Sequence, residues 1–132
     1  LVHYNILNYR NHFDACNQVS NNIEGKEANL RTILNYVQAD LISFNEVANR
    51  ASAADSLKLM VLDQLGGIAY QMGEFSGNSF LANALFYRSD KLVYQGKSVI
   101  LKDLNGRLFP NGYRIFTDKK KVKWMRVILM SP

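Results

Sequence analysis

The stretch Ala39-Asp40-Leu41-Ile42-Ser43-Phe44-Asn45-Glu46-Val47 decides how this chain is read. It is an apolar run of strand character that carries two polar residues, Asn45 and Glu46, at its far end. An ionised carboxylate at the mouth of a buried strand must be desolvated, and only a cation or several donors can offset that cost. A divalent metal is the obvious cation. The plainer alternative is a solvated strand end, or a salt bridge to a nearby lysine.

Working outward, Val2-His3-Tyr4-Asn5-Ile6-Leu7-Asn8-Tyr9 is a second short apolar run, with Asn5 placed near its end as Glu46 is in the later one. Between the two, Leu30, Ile33, Leu34 and Val37 fall at i, i+3, i+4 and i+7, which predicts a helix over Lys26 to Val37 packing one stripe on a sheet. Glu24 and Glu27 suit the dipole at its N-terminus. Strand, helix and strand make a βαβ unit with a right-handed crossover and parallel strands, so the two C-terminal strand ends face one edge. That geometry predicts Asn5 and Glu46 within hydrogen-bond or one-water distance. Ligands of open α/β sheets bind at the carboxyl ends of strands, where an amide can orient a phosphate and a carboxylate can hold its metal.

The segment Arg10 to Gly25 is polar and Asn-rich and reads as a loop. His12 and Asp14 lie in it, but two such residues without a third partner read as solvated rather than as ligands. Further on, Ser52-Ala53-Ala54-Asp55 resembles a capping box, and Leu57, Met60, Val61 and Leu65 form a second helical stripe that Gly66-Gly67 ends. Ile68 to Met72 reads as a short strand, Gly73 to Ser79 as a turn-rich loop, and Phe80 to Arg88 as a central strand. On that strand Asn83, Leu85 and Tyr87 share one face by period two, with Ala84 and Phe86 opposite. Asn83 and Tyr87 are thereby candidate substrate contacts, against the simpler reading of core packing. Leu92 to Leu101, Tyr113 to Thr117 and Trp124 to Met130 read as strands of an antiparallel section, with turns at Asn105-Gly106 and Asn111-Gly112.

Composition bounds the rest. The chain has 132 residues, 48% of them hydrophobic and 20% charged, which is one domain's worth of globular sequence and excludes disorder throughout. Its net charge of +5, from 16 Lys and Arg against 11 Asp and Glu, favours anionic partners such as phosphate esters or nucleic acid without identifying them. The dense basic cluster, Lys119-Lys120-Lys121 with Lys123, reads first as a solvated turn and second as a phosphate-tracking patch. Cys16 is the single cysteine, so neither an internal disulfide nor a thiolate metal site can be built. No stretch approaches the roughly 18 apolar residues of a membrane span. The chain begins without Met or a leader, so it looks processed, trimmed or excerpted. Its compartment stays open, and a secreted or periplasmic setting is compatible.

The order of strand ending in Asn, helix, and strand ending in Glu resembles the start of the endonuclease/exonuclease/phosphatase superfamily. The resemblance rests on Tyr4 to Tyr9, the helix Lys26 to Val37, and Asp40-Leu41-Ile42-Ser43-Phe44-Asn45-Glu46-Val47, where the family reads Pro-Asp-apolar-apolar-x-x-Gln-Glu-Val. Asn83 to Leu92 resembles its next central strand. Ala39 and Asn45 depart from the pattern. The resemblance implies an α/β fold with a mixed β-sheet layered with helices, the N-terminal half of a deoxyribonuclease-like four-layer α/β sandwich, with 1–132 as a single, partial domain. It implies a Mg²⁺- or Mn²⁺-dependent phosphoesterase with a phosphodiester substrate favoured, with Glu46 and Asn5 as catalytic residues, Glu46 as metal ligand and Asn5 orienting the phosphate or nucleophile. Met130 stands where the family strand ends in a catalytic His, and the family's Asp-x-Asn and Asp-His pairs are not in this sequence. The expectation is therefore an inactive isolated chain, whose sheet face is covered by a second copy or by a C-terminal half. The alternative is a non-catalytic binding or assembly module that keeps the fold without the chemistry.

Overall fold

The computed structural model describes residues 1–11, 21–78, 80–97, 113–118 and 124–128. The chain divides into two compact units, Leu1–Arg88 and Ser89–Pro132. The first unit is mixed α/β and runs β1 (Val2–Tyr9), α1 (Ile23–Val37), β2 (Leu41–Ala48), α2 (Ala51–Met60), β3 (Tyr70–Asn78) and β4 (Leu81–Arg88). Its sheet has the order β1-β2-β4-β3. The β1 and β2 strands are parallel, as a helical crossover requires, while β2 with β4 and β3 with β4 are antiparallel. The parallel section thus ends at β2, earlier than the sequence suggests.

The first helix begins three residues before Lys26. Asn22 caps it by accepting the Gly25 N–H on its side chain at 2.8 Å, a signal that outweighs the later start of the apolar stripe. Of that stripe Leu30 and Leu34 are buried, whereas Val37, in the last turn, is exposed. The second helix departs from its capping-box reading, because the cap position is Arg50 in extended backbone and Ser52 lies inside the first turn. Met60 is exposed, and the stripe resumes at Val61, Leu62 and Leu65 because the helix tightens into a single 3₁₀ turn over Leu62–Gln64.

The expected loop from Gly73 onward is instead strand. The third strand pairs with β4 from Tyr70↔Arg88 to Asn78↔Leu81, and one irregularity between Met72 and Glu74 falls at Gly73. A glycine there marks a bulge in an edge strand rather than the strand's end. In the second unit β5 (Leu92–Lys97), β6 (Tyr113–Asp118) and β7 (Trp124–Ile128) form an antiparallel sheet in that order. His12, Asp14, Cys16, the Asn105-Gly106 and Asn111-Gly112 turns, Lys119 to Lys121, Lys123 and Met130 lie outside the described residues.

Both helices pack into one apolar cluster with the sheet. It joins Leu30, Leu34, Ala53, Ala54 and Leu57 to Ile42, Phe44, Ala84 and Phe86, strand residues that share a face. The Phe44 and Phe86 rings meet edge to face, 6.0 Å between centroids. Each fully buried large side chain here contributes about 1.5–3 kcal/mol of burial. The opposite face buries Leu41, Ser43, Leu85 and Tyr87. No described helix is long and apolar enough to cross a membrane.

Candidate functional site

Two adjacent irregularities shape the C-terminal edge of β1 and β2. The β1–β2 register runs from Val2↔Ile42 to Asn5↔Asn45 and resumes only at Tyr9↔Val47. The β2–β4 register passes from Phe44↔Ala84 to Val47↔Ala82, so Asn45 and Glu46 together stand opposite Asn83. This is a bulge of two residues against one. Its parity matters: Phe44 and Val47 both lie in the helix-side cluster, which leaves Asn45 and Glu46 both off that face. A regular strand would have put these neighbours on opposite faces. Glu46 has a left-handed φ of 60°, and Leu7 and Asn8 have φ of 46° and 55°. Left-handed backbone costs an ordinary residue about 1–2 kcal/mol, and such strain clusters at functional sites.

At this edge the Asn5 amide Nδ2 donates to Glu46 Oε1 at 2.7 Å. The Leu7 N–H donates to Asn5 Oδ1 at 2.9 Å, so both ends of the amide are engaged and its direction is set. The proximity expected from parallel strand ends is met. Lys26 on α1 holds the irregular backbone from beneath: its Nζ donates to the carbonyls of Ile6 (3.1 Å) and Leu7 (2.5 Å) and to Asn21 Oδ1. Asn21 donates in turn to the Asn8 carbonyl at 2.9 Å. Lys26 was not legible as a site residue, yet a signal existed, since a lysine in the first turn opposes the helix dipole and needs another reason to be there.

Asn83 is half-buried and faces the bulge by register. Tyr87 pairs with Leu41 at the opposite end of β2, and its hydroxyl donates to Gln71 Oε1 at 2.9 Å. The structure therefore groups Asn5, Glu46 and, by register, Asn83, and sets Tyr87 apart. Two residues the sequence did not single out, His3 and Ser43, are partners on the same strand pair, with His3 Nδ1 3.1 Å from Ser43 Oγ. Asn45 is 7% exposed, and its Oδ1 is buried with no hydrogen-bond partner.

Among the described residues no group of three or more His, Cys, Asp or Glu could hold a metal ion. What the edge offers is a carboxylate, Glu46, and, from the preceding residue of the bulge, an amide oxygen of Asn45 with no partner among the described residues. An all-oxygen, ligand-poor set of this kind fits a hard cation that keeps most of its waters, such as Mg²⁺, and does not fit a structural zinc.

Past the far end of β1 a second polar cluster is closed. Tyr9 is fully buried and donates to Glu27 Oε1 at 2.7 Å, and Arg10 Nη2 donates to the same oxygen at 2.9 Å. Arg10 Nε also donates to the Tyr9 hydroxyl at 3.1 Å. Glu27, expected to suit the dipole at the helix N-terminus, is 3% exposed and also serves this network. Burial first, and then the hydrogen bond to Glu27, push the Tyr9 phenol well above its ordinary range. The bond to Tyr9 is the main reason the Arg10 guanidinium is held up as well.

No protein-family model matches the sequence, and no curated protein matches it either. Among solved structures, a crystal structure of an endonuclease/exonuclease/phosphatase family protein from Bacteroides thetaiotaomicron superposes with a TM-score of 0.61 at 15% identity, covering 95% of this chain and 46% of that one. The chain is thus similar in fold to that protein and spans about half of its length.

Proposed function

We propose that this chain carries the cation-holding edge of a metal-dependent phosphoesterase, with Glu46 as the carboxylate ligand of Mg²⁺ or Mn²⁺ and Asn5 as the residue that orients it. The observation that carries the reading is the 2.7 Å bond from the Asn5 amide, midway along β1, to Glu46 near the end of the parallel strand β2. A bound divalent ion supplies charge neutralisation at a phosphoryl oxygen. Asn5 aims one Glu46 oxygen, the Leu7 N–H fixes Asn5, and Asn83 stands across the bulge where a substrate would meet the sheet. The net charge of +5 supports an anionic substrate, and a phosphodiester, such as one within a nucleic acid, is favoured.

Turnover by this chain alone is expected to be negligible. General-base catalysis contributes about 10²- to 10⁴-fold, and the chain's histidines are only His3, engaged with Ser43, and His12. The absence of a three-group ligand cluster among the described residues favours a second reading, a binding or assembly module that keeps this fold without the chemistry. In either reading, a second copy or further chain would cover whatever sheet face remains open, which sedimentation equilibrium at micromolar concentration reads directly.

Mn²⁺ titration by calorimetry, alongside hydrolysis of a chromogenic phosphodiester, separates the two. The enzyme-family reading expects Mn²⁺ binding that Glu46→Gln weakens at least about tenfold. Binding indifferent to Glu46→Gln would sink it and leave the module.

A further inference from the structure

We propose that Asn45, through its side-chain carbonyl oxygen, is a second protein ligand for the divalent cation held by Glu46. The inference rests on the cation-site reading above and deepens it by assigning a residue that the reading does not use.

Three observations converge. The bulge puts two residues of β2 opposite the single Asn83, and with Phe44 and Val47 both in the helix-side cluster, Asn45 and Glu46 are consecutive side chains off that face. Glu46 takes up a left-handed backbone at this point, so the arrangement is held against its local preference. Asn45 Oδ1 is buried, with no hydrogen-bond partner among the described residues, in a side chain that is 7% exposed. An unsatisfied buried acceptor is destabilising, and native interiors rarely keep one without a ligand, a water or an ion.

The neighbouring groups narrow the choice. Asn5 Nδ2 is directed to Glu46 and Ser43 Oγ lies against His3, and among the described residues no donor reaches Asn45 Oδ1. A hard cation seeks what is left here: one carboxylate and one neutral carbonyl oxygen from adjacent positions, with waters completing the shell. An aliphatic side chain at 45 would satisfy burial equally well, so the amide has a use beyond packing.

The test compares Mn²⁺ binding and thermal midpoint in the 132-residue chain and in its Asn45→Leu, Asn45→Asp and Glu46→Gln variants. Ligation predicts that Asn45→Leu weakens Mn²⁺ at least about tenfold, while its metal-free midpoint is unchanged or higher, because an apolar near-isostere removes an unsatisfied group. A purely structural amide predicts the reverse, a lower midpoint and unchanged affinity. Asn45→Asp keeps the proposal falsifiable if the leucine variant does not fold, since an oxygen ligand with added charge must bind Mn²⁺ at least as tightly as the parent. Parent-like affinity in Asn45→Leu, or weaker binding in Asn45→Asp, overturns the inference and leaves Glu46 as ligand. If Glu46→Gln also binds as the parent does, or the parent does not bind, the phosphoesterase reading falls with it.

Discussion

The first strand leads into two polar clusters that differ in kind. Near its middle, Asn5 and Glu46 meet at an exposed edge, and the Oδ1 of Asn45, next in sequence to Glu46, has no hydrogen-bond partner among the described residues. Past its end, Tyr9, Arg10 and Glu27 are knit together, with two donors converging on one buried oxygen. A buried polar network that is complete rigidifies the fold, whereas one with an open valence is available to a ligand. What separates the two clusters is therefore the unmet valence at Asn45, not polarity or proximity.

The sharpest way to break the comparison is to open the closed cluster. Glu27→Ala removes the acceptor of two charge-assisted hydrogen bonds, from the buried Tyr9 hydroxyl and the partly exposed Arg10, each worth about 1.5–3 kcal/mol. Urea unfolding should show the loss of both, and a loss under about 1 kcal/mol would mean the cluster is not structural.

Next in size, Tyr9→Phe removes the hydroxyl that donates to the Glu27 carboxylate and accepts from Arg10 Nε, and a loss of about 1.5–3 kcal/mol is expected. It should also change the alkaline limb. The Tyr9 phenol is raised in the folded state, so its contribution is complete below the unfolded value near 10 and declines as pH rises past it, because the unfolded chain releases a proton that the fold retains. Parent stability measured from pH 9 to 11 should fall more steeply than that of Tyr9→Phe; equal slopes would contradict the assignment.

Lys26→Met sharpens the comparison from the other side, since it removes the donor to the Ile6 and Leu7 carbonyls that holds the irregular backbone under Asn5. About 1–2 kcal/mol should be lost, with Mn²⁺ affinity falling alongside. Stability lost at constant affinity would show that the backbone clamp does not reach the site.

Smallest of all, Leu7→Gly replaces an exposed side chain at φ 46° with the residue that adopts this region freely. Relief of strain and added unfolded-state entropy oppose each other, so a gain of about 0.5 kcal/mol is expected. A marked loss would mean that Leu7 packs against something its exposure does not suggest.

Read alone, the sequence determined the βαβ unit and the juxtaposition of Asn5 with Glu46. Both follow from short-range regularities: a helical stripe of Leu30 and Leu34 between two apolar runs forces parallel strands whose ends meet. What escaped it depended on contacts between distant residues. The strand character of Gly73 onward came from pairing with β4, which outweighed local turn propensity. Glu27 read only as a charge suited to the helix N-terminus, and its bonds to Tyr9 and Arg10 depended on the fold. The bulge at Asn45 and Glu46 was invisible because period-two reasoning assigns neighbouring residues to opposite faces. Only the tertiary structure, by keeping Phe44 and Val47 in one core, decided that these two side chains leave it together.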